Sequence, residues 1–218
     1  MASIPIVREG SRGRASLLSW AELPERLGAA AALVAASPVA LVSAAAIALL
    51  SRQTPWIAHR RVGWRGNTLW MLKLRTMWGP ETHGRDSGWI EYIDDDAGPE
   101  YKESGDPRVP NAFARFCRRH SIDELPQLLH VVRGEMALVG PRPLTARELR
   151  RHYGADAAEI LEVKPGLAGL WQVSGRNRLS YEQRRELDLR LVRGRSLRLY
   201  VRIVVGAVAE VFSGKNSW

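Results

Sequence analysis

The chain has 218 residues and a formal charge of +9, with 32 basic residues against 23 acidic ones. That length supports one domain with a real core, and the charge calls for an acidic partner: nucleic acid, anionic lipid or a phosphorylated substrate. The single cysteine, Cys117, excludes an internal disulfide and fits a reducing compartment, and the five histidines show no metal-ligand spacing.

Residues 1–20 are polar and rich in Gly, Ser and Arg, and are expected to be loosely ordered. From Leu27 to Leu50 there is no charge. A helix of that length spans about 36 Å, enough to cross a bilayer core of about 30 Å, and it exceeds the apolar region of a signal peptide. Ser37-Pro38 falls near its middle. Pro38 removes an N–H and crowds the Val34 carbonyl, which predicts a break there. Both flanks are basic (Arg8, Arg12, Arg14 and Arg26 before, Arg52, Arg60, Arg61 and Arg65 after), so charge assigns neither end to the far side of a membrane. Two readings fit: a kinked spanning helix whose backbone is re-satisfied locally, and a re-entrant helix that leaves by the leaflet it entered. The chain divides into 1–20, a membrane segment 21–51 and a domain 52–218.

Pro55-Trp56-Ile57-Ala58 and Trp64–Trp70 suit an interfacial loop and a turn. Leu69–Met77 reads as a short strand with Lys73 and Arg75 on one face; Lys73 is either a phosphate ligand or an exposed lysine that blunts an edge strand. Gly79–Gly105 is a polar loop, and its Asp94-Asp95-Asp96 run lacks calcium-loop spacing. Phe113–Arg119 is basic and amphipathic. Within it Arg118 favours a Cys117 thiolate, although a small core residue is the plainer reading.

Ser121-Ile122-Asp123-Glu124-Leu125-Pro126-Gln127 is the most informative stretch. Ser121-x-x-Glu124 matches a capping box. Pro126 would fall at the fifth helical position and delete a hydrogen bond, which predicts a turn that leaves Asp123 and Glu124 in a non-helical bend, free to aim at one ion. Two carboxylates, the Arg118-Arg119 pair and a helix N-terminus suit a metal-bound phosphate. Further on, Gly140-Pro141-Arg142-Pro143 fixes an arginine between two prolines, as a preorganised phosphate grip or merely a rigid turn. Thr145–Gly154 presents a polar helix face. Lys164–Asn177 is a glycine-containing loop able to offer backbone N–H groups to an anion. Tyr181–Arg195 is a charged helix. Leu197–Phe212, apolar with Arg198, Arg202 and Glu210, is an interfacial helix or a core-packed terminal one.

Three stretches carry a resemblance: Ser121–Leu128; Arg133-Gly134-Glu135-Met136-Ala137-Leu138-Val139-Gly140-Pro141-Arg142-Pro143-Leu144; and Lys164–Asn177. In this order they resemble the bacterial sugar transferases, the monotopic polyprenyl-phosphate phosphoglycosyl transferases, over roughly residues 22–214. The resemblance implies an α+β, mainly helical fold: a re-entrant membrane helix broken at Ser37-Pro38, then a small cytoplasmic catalytic domain with short strands and interfacial amphipathic helices. It implies transfer of a sugar-1-phosphate from a nucleoside-diphosphate sugar (a UDP-sugar) to polyprenyl phosphate. That reaction starts glycan assembly at the cytoplasmic face of the inner membrane, with Mg²⁺ as cofactor. Asp123 would be the nucleophile and Glu124 would hold or assist the metal, with Asp123 as a further metal candidate. Lys73, Arg118, Arg142 and Arg176 would bind phosphate. Expected partners are the nucleotide sugar, polyprenyl phosphate and membrane lipid, with no nucleic acid; an oligomer is left open. Around Asp106–His120 the chain departs from the family pattern: Pro110 stands in place of Thr, a glycine is missing, and Cys117 and His120 replace Leu and Thr. Two rivals stand beside this reading. One is a non-enzymatic, membrane-anchored protein binding nucleic acid or acidic lipid; the other is a glycosyl transferase that moves sugar without phosphate.

Overall fold

The computed structural model describes residues 22–78, 85–86, 88–94 and 108–214. The expected loose segment 1–20, and Asp95 and Asp96 of the acidic run, lie outside these residues. The fold is α+β and mainly helical.

Helix α1 (Glu22–Ser51) is a single element of 30 residues, rich in Ala and Leu, which favour helix. It is long and apolar enough to cross a membrane. Pro38 lies inside it. The Ser37 hydroxyl donates to the Val34 carbonyl at 2.8 Å, the carbonyl that a proline at position 38 leaves without its helical donor. The backbone thus stays helical through Pro38, with one main-chain hydrogen bond replaced by a side-chain one.

One face of α1 is buried and the other is apolar and exposed. Ala29 packs with Leu69, Leu128, Val131 and Met136. Ala44 and Ile47 pack with Leu74 and against Trp56, Phe113 and Ile122. Leu27, Val34, Leu41, Val42 and Leu49 face outward. The first turns are also held by polar bonds: Arg26 Nε donates to the Val132 carbonyl at 2.7 Å, and the Leu138 N–H donates to Glu25 Oε1 at 2.8 Å. The same folded body therefore grips α1 before and after Pro38.

Strands β1 (Trp56–Val62) and β2 (Thr68–Leu74) form an antiparallel hairpin, joined by a 3₁₀ turn (Trp64–Gly66) with Arg65 at φ 57°. Trp56–Ala58 are thus strand, not interfacial loop, with Ile57 and Ala58 buried. Strands β3 (Arg85–Asp86) and β4 (Ile90–Ile93) complete the sheet in the order β2-β1-β4-β3, with β4 parallel to β1. Both arise within the stretch read as a polar loop. Strand β4 supplies Glu91, which pairs with the buried Arg75; Asp94 forms an exposed pair with Arg60 at 2.8 Å.

Helix α2 (Ala112–Arg119) starts at Asn111, whose side chain accepts from the Ala114 N–H at 2.8 Å. A 3₁₀ turn (Ile122–Gln127) leads into α3 (Leu128–Arg133), which ends at Gly134 in the left-handed conformation. Strand β5 (Ala137–Val139) pairs in parallel with β6 (Gly166–Ala168). Between them α4 (Ala146–Glu148), a wide turn at Leu149–Tyr153 and α5 (Ala157–Leu161) pack Leu149, Tyr153, Ile160 and Leu161 onto Val62, Leu144 and Leu189. Helices α6 (Leu170–Ser174), α7 (Tyr181–Arg193) and α8 (Leu197–Ser213) follow. Helix α8 seats Ile203 in the core and leaves Leu197, Val201, Val205, Val208 and Phe212 exposed, so its greater apolar part is not core.

Candidate active site

The site is built on the 3₁₀ turn after α2. Ser121 sits in the left-handed region at φ 53° and its side chain makes no cap bond. Only backbone links it to Glu124, whose N–H donates to the Ser121 carbonyl at 3.0 Å. This overturns the capping-box reading. The expected non-helical bend is instead a 3₁₀ turn that contains Pro126, and α3 begins two residues later. With three residues per turn, neighbouring side chains leave the axis about 120° apart. Asp123 is accordingly buried, while Glu124 is half-buried.

Glu124 is where separate elements converge. Lys73 Nζ, from the end of β2, donates to Glu124 Oε1 at 2.8 Å. Arg142 Nη1 stands 3.7 Å from the same oxygen. Lys73 is only 7% exposed, so it is no solvated edge lysine, and a buried ammonium requires such a partner. Arg75, read as sharing its face, is engaged elsewhere by Glu91 and the Thr54 carbonyl.

The Arg142 turn is held at both ends. A Cβ on Gly166 would lie 2.0 Å from the Gly140 nitrogen, so only glycines allow this approach. Gly140 N–H donates to the Ala168 carbonyl at 3.0 Å, and Gly166 N–H to the Pro141 carbonyl at 2.8 Å. Downstream, Val62 N–H donates to the Leu144 carbonyl at 2.8 Å. Within the glycine-containing loop Lys164–Asn177, the Gly166 N–H is thus spent on Pro141.

Arg176, also left-handed at φ 47°, places Nη2 3.5 Å from Ser121 Oγ and Nη1 3.7 Å from Glu210 of α8. The basic pair divides. Arg118 is half-buried, and its Nε is buried with no partner among the described residues. Arg119 Nε instead donates to the Gly214 carbonyl at 3.1 Å, and His120 Nδ1 to the Val211 carbonyl at 2.7 Å. The structure therefore brings Lys73, Glu124 and Arg142 into contact. It sets Asp123 and Arg118 on the same short segment, and it ties Arg176 to the residue that opens the turn.

Cys117 is not a favoured thiolate. Burial, then the Asp123 charge, pushes its thiol up to about 11, overriding the hydrogen bond from Ser43. It is a small core residue. Asp188 was missed by sequence reading. It is fully buried on α7, accepts from the Tyr153 hydroxyl at 2.8 Å, and its Oδ1 has no partner among the described residues. Burial pushes its carboxyl up to about 7 against the opposing Tyr153 bond and the Arg142 and Arg184 charges. Burial and Asp188 together push the Tyr153 hydroxyl upward. The sequence signal was faint, since an Arg184/Asp188 pair at i,i+4 looks like any surface helix pair.

No group of three or more His, Cys, Asp or Glu able to hold a metal occurs among the described residues. The donor set at the turn, two adjacent carboxylates ringed by cations, suits an ion that takes one or two protein oxygens and fills its other positions with phosphate and water.

The turn presents the Glu124 carboxylate to a converging lysine and arginine, with the buried Asp123 beside it. The chain belongs to the bacterial sugar transferase family, whose model matches residues 19–214, and is a transferase. It is 37% identical over 198 residues to the exopolysaccharide production protein ExoY of Rhizobium meliloti, covering 88% of this chain and 85% of that one. Over 89 residues it is 51% identical to the undecaprenyl-phosphate galactose phosphotransferase of Salmonella typhimurium, covering 41% of this chain and 18% of that one. Over 229 residues it is 29% identical to the UDP-glucose:undecaprenyl-phosphate glucose-1-phosphate transferase of Xanthomonas campestris, covering 100% of this chain and 44% of that one. Membership of this family sets aside the non-enzymatic reading.

Proposed function

We propose that the protein transfers a sugar-1-phosphate from a nucleoside-diphosphate sugar, a UDP-sugar, to polyprenyl phosphate, the first step of building a membrane-linked glycan. The observation that carries this is the convergence of Lys73 and Arg142 on Glu124, next to the buried Asp123. The names of the Salmonella and Xanthomonas relatives support the choice of acceptor, and that of the Xanthomonas relative supports a UDP-sugar donor.

In this reading an Asp123 carboxylate oxygen attacks the phosphorus bearing the sugar. The bridging P–O bond of the diphosphate breaks, and its electron pair leaves with the nucleoside monophosphate. A phosphate oxygen of polyprenyl phosphate then attacks the same phosphorus, expels the Asp123 carboxylate and forms the polyprenyl diphosphate sugar. Lys73, Arg118, Arg142 and Arg176 neutralise and orient the two anionic substrates, which would otherwise repel each other. Mg²⁺, held by Glu124 with Asp123, would supply further charge neutralisation at the diphosphate.

The lipid acceptor requires attachment to a membrane, here the cytoplasmic face of the inner membrane. The contacts of one folded body with α1 on both sides of Pro38 support a re-entrant rather than a spanning helix. With Cys117→Ser as background, a cysteine placed at Ala2 should react with an impermeant thiol reagent only after lysis; labelling in intact cells would mean that α1 spans. The functional test incubates purified protein in lipid nanodiscs with polyprenyl phosphate and a panel of nucleotide sugars. Monophosphate release with one donor is expected. Diphosphate release would transfer the chain to the glycosyl transferases that move sugar without phosphate, and release of neither would remove the proposed reaction.

A further inference from the structure

We infer that His130 is a positioning residue that acts through Lys73, by closing the open edge of β2 and fixing its distance from the carboxylate turn. Strand β2 is the outer strand of the described sheet. Arg75 N–H reaches across to the Pro55 carbonyl, and Lys73 is paired opposite Ile57, so by alternation the Lys73 N–H points toward β1 and the Leu72 N–H points to the open edge. There it donates to His130 Nε2 at 3.0 Å. That bond fixes the tautomer: Nε2 holds a lone pair, and the proton is on Nδ1, which donates to Glu135 Oε2 at 2.5 Å.

His130 is itself immobilised. Its side chain is buried, and its carbonyl accepts from Glu135 N–H at 2.9 Å and from Met136 N–H at 3.2 Å, as α3 closes at Gly134. Helix α3 continues directly from the 3₁₀ turn that carries Asp123 and Glu124. A ring anchored on α3 and bonded to Leu72 therefore sets the gap that the next residue, Lys73, crosses to reach Glu124. A half-buried N–H at a strand edge is best satisfied by a fixed acceptor, and here a side chain from the helix that follows the carboxylate turn supplies it. The link to catalysis rests on the proposed reaction; the strut itself rests on geometry.

The test compares His130→Gln with His130→Met in the full chain in nanodiscs. The two side chains have similar size, and only Gln carries an acceptor near the Nε2 position. One readout, independent of catalysis, is hydrogen exchange at the Leu72 amide. The other is kcat for monophosphate release, alone and combined with Lys73→Ala. In His130→Met, Leu72 exchange should quicken at least about tenfold, and kcat should fall about 10- to 100-fold, the range seen when a group orienting a site ligand is lost. His130→Gln should keep Leu72 protected and kcat within about threefold of wild type, because the acceptor is retained. Adding His130→Met to Lys73→Ala should cost less than about twofold more, since residues acting as one unit are not additive. Equal Leu72 exchange in the Met and wild-type chains, or independent multiplication of the two losses, would overturn the strut. A wild-type chain with no turnover on any donor would overturn the reaction instead, and Leu72 exchange would still decide the strut.

Discussion

Glu124 and Asp188 both feel the Arg142 guanidinium, but their surroundings differ. Glu124 lies on a half-buried turn and is met by Lys73 at 2.8 Å and Arg142 at 3.7 Å. Asp188 is sealed in the interior with a tyrosine hydroxyl as its direct partner, and burial pushes its carboxyl up to about 7. The contrast shows which carboxylate is equipped for which task. A carboxylate met directly by two cations makes charge-assisted contacts that hold both side chains at the turn. One that is buried against a neutral donor retains its proton well above the usual range and is held by the Tyr153 hydroxyl.

Substitutions can break this contrast, and the largest effect is expected at Asp123. Asp123→Asn is nearly isosteric but no nucleophile, and turnover should fall on the order of 10³-fold or more with the melting transition unchanged. Monophosphate release measured beside a thermal melt checks both halves. Glu124→Gln should cost about 10²-fold in kcat through the loss of the carboxylate that orients Lys73 and Arg142 and would hold the metal. Partial recovery at raised Mg²⁺ would assign Glu124 to metal binding, and titrating Mg²⁺ against rate reads this directly. Arg142→Lys keeps the charge but loses the planar fork, so the KM for the nucleotide sugar should rise about tenfold, the cost of one charge-assisted hydrogen bond. Unchanged kinetics in this variant would make Arg142 a turn residue only.

Asp188 gives the smallest effect, one of stability and not rate. Its folded carboxyl lies above its ordinary value, so between about pH 4 and about pH 7 the folded state retains a proton that the unfolded chain has released. Its contribution is fully present at low pH and is lost as pH rises through about 7. Asp188→Asn cannot titrate and should flatten this slope. Melting temperatures of both chains across pH 4–8 check the sign; parallel profiles would mean that Asp188 titrates normally.

The parts of the fold legible in sequence are those governed by local chemistry. The uncharged run Leu27–Leu50 announced α1, and the Ser37 hydroxyl at the Val34 carbonyl follows from the proline one residue later. The Asp123-Glu124 pair and the proline-flanked Arg142 stood out by residue type and spacing, and the fold brings Arg142 to 3.7 Å from Glu124. What escaped depends on distant partners. Strand β4 lay hidden in a polar stretch because its stability comes from pairing with β1 and from Glu91 meeting Arg75. Ser121 matched a capping box by spacing, yet its left-handed φ puts its side chain out of reach of the helix, a choice made by packing and invisible to spacing. That Gly166 serves a close approach to Gly140 was likewise invisible in the composition of its loop.

The most direct test of the account is intact-mass analysis of the wild-type chain incubated with its nucleotide sugar and Mg²⁺ but no lipid acceptor. The account predicts a mass increase of one sugar phosphate, localised to Asp123, absent from Asp123→Asn and discharged when polyprenyl phosphate is added. Turnover that requires both substrates together, with no adduct at any time, or an adduct on another residue, would contradict it.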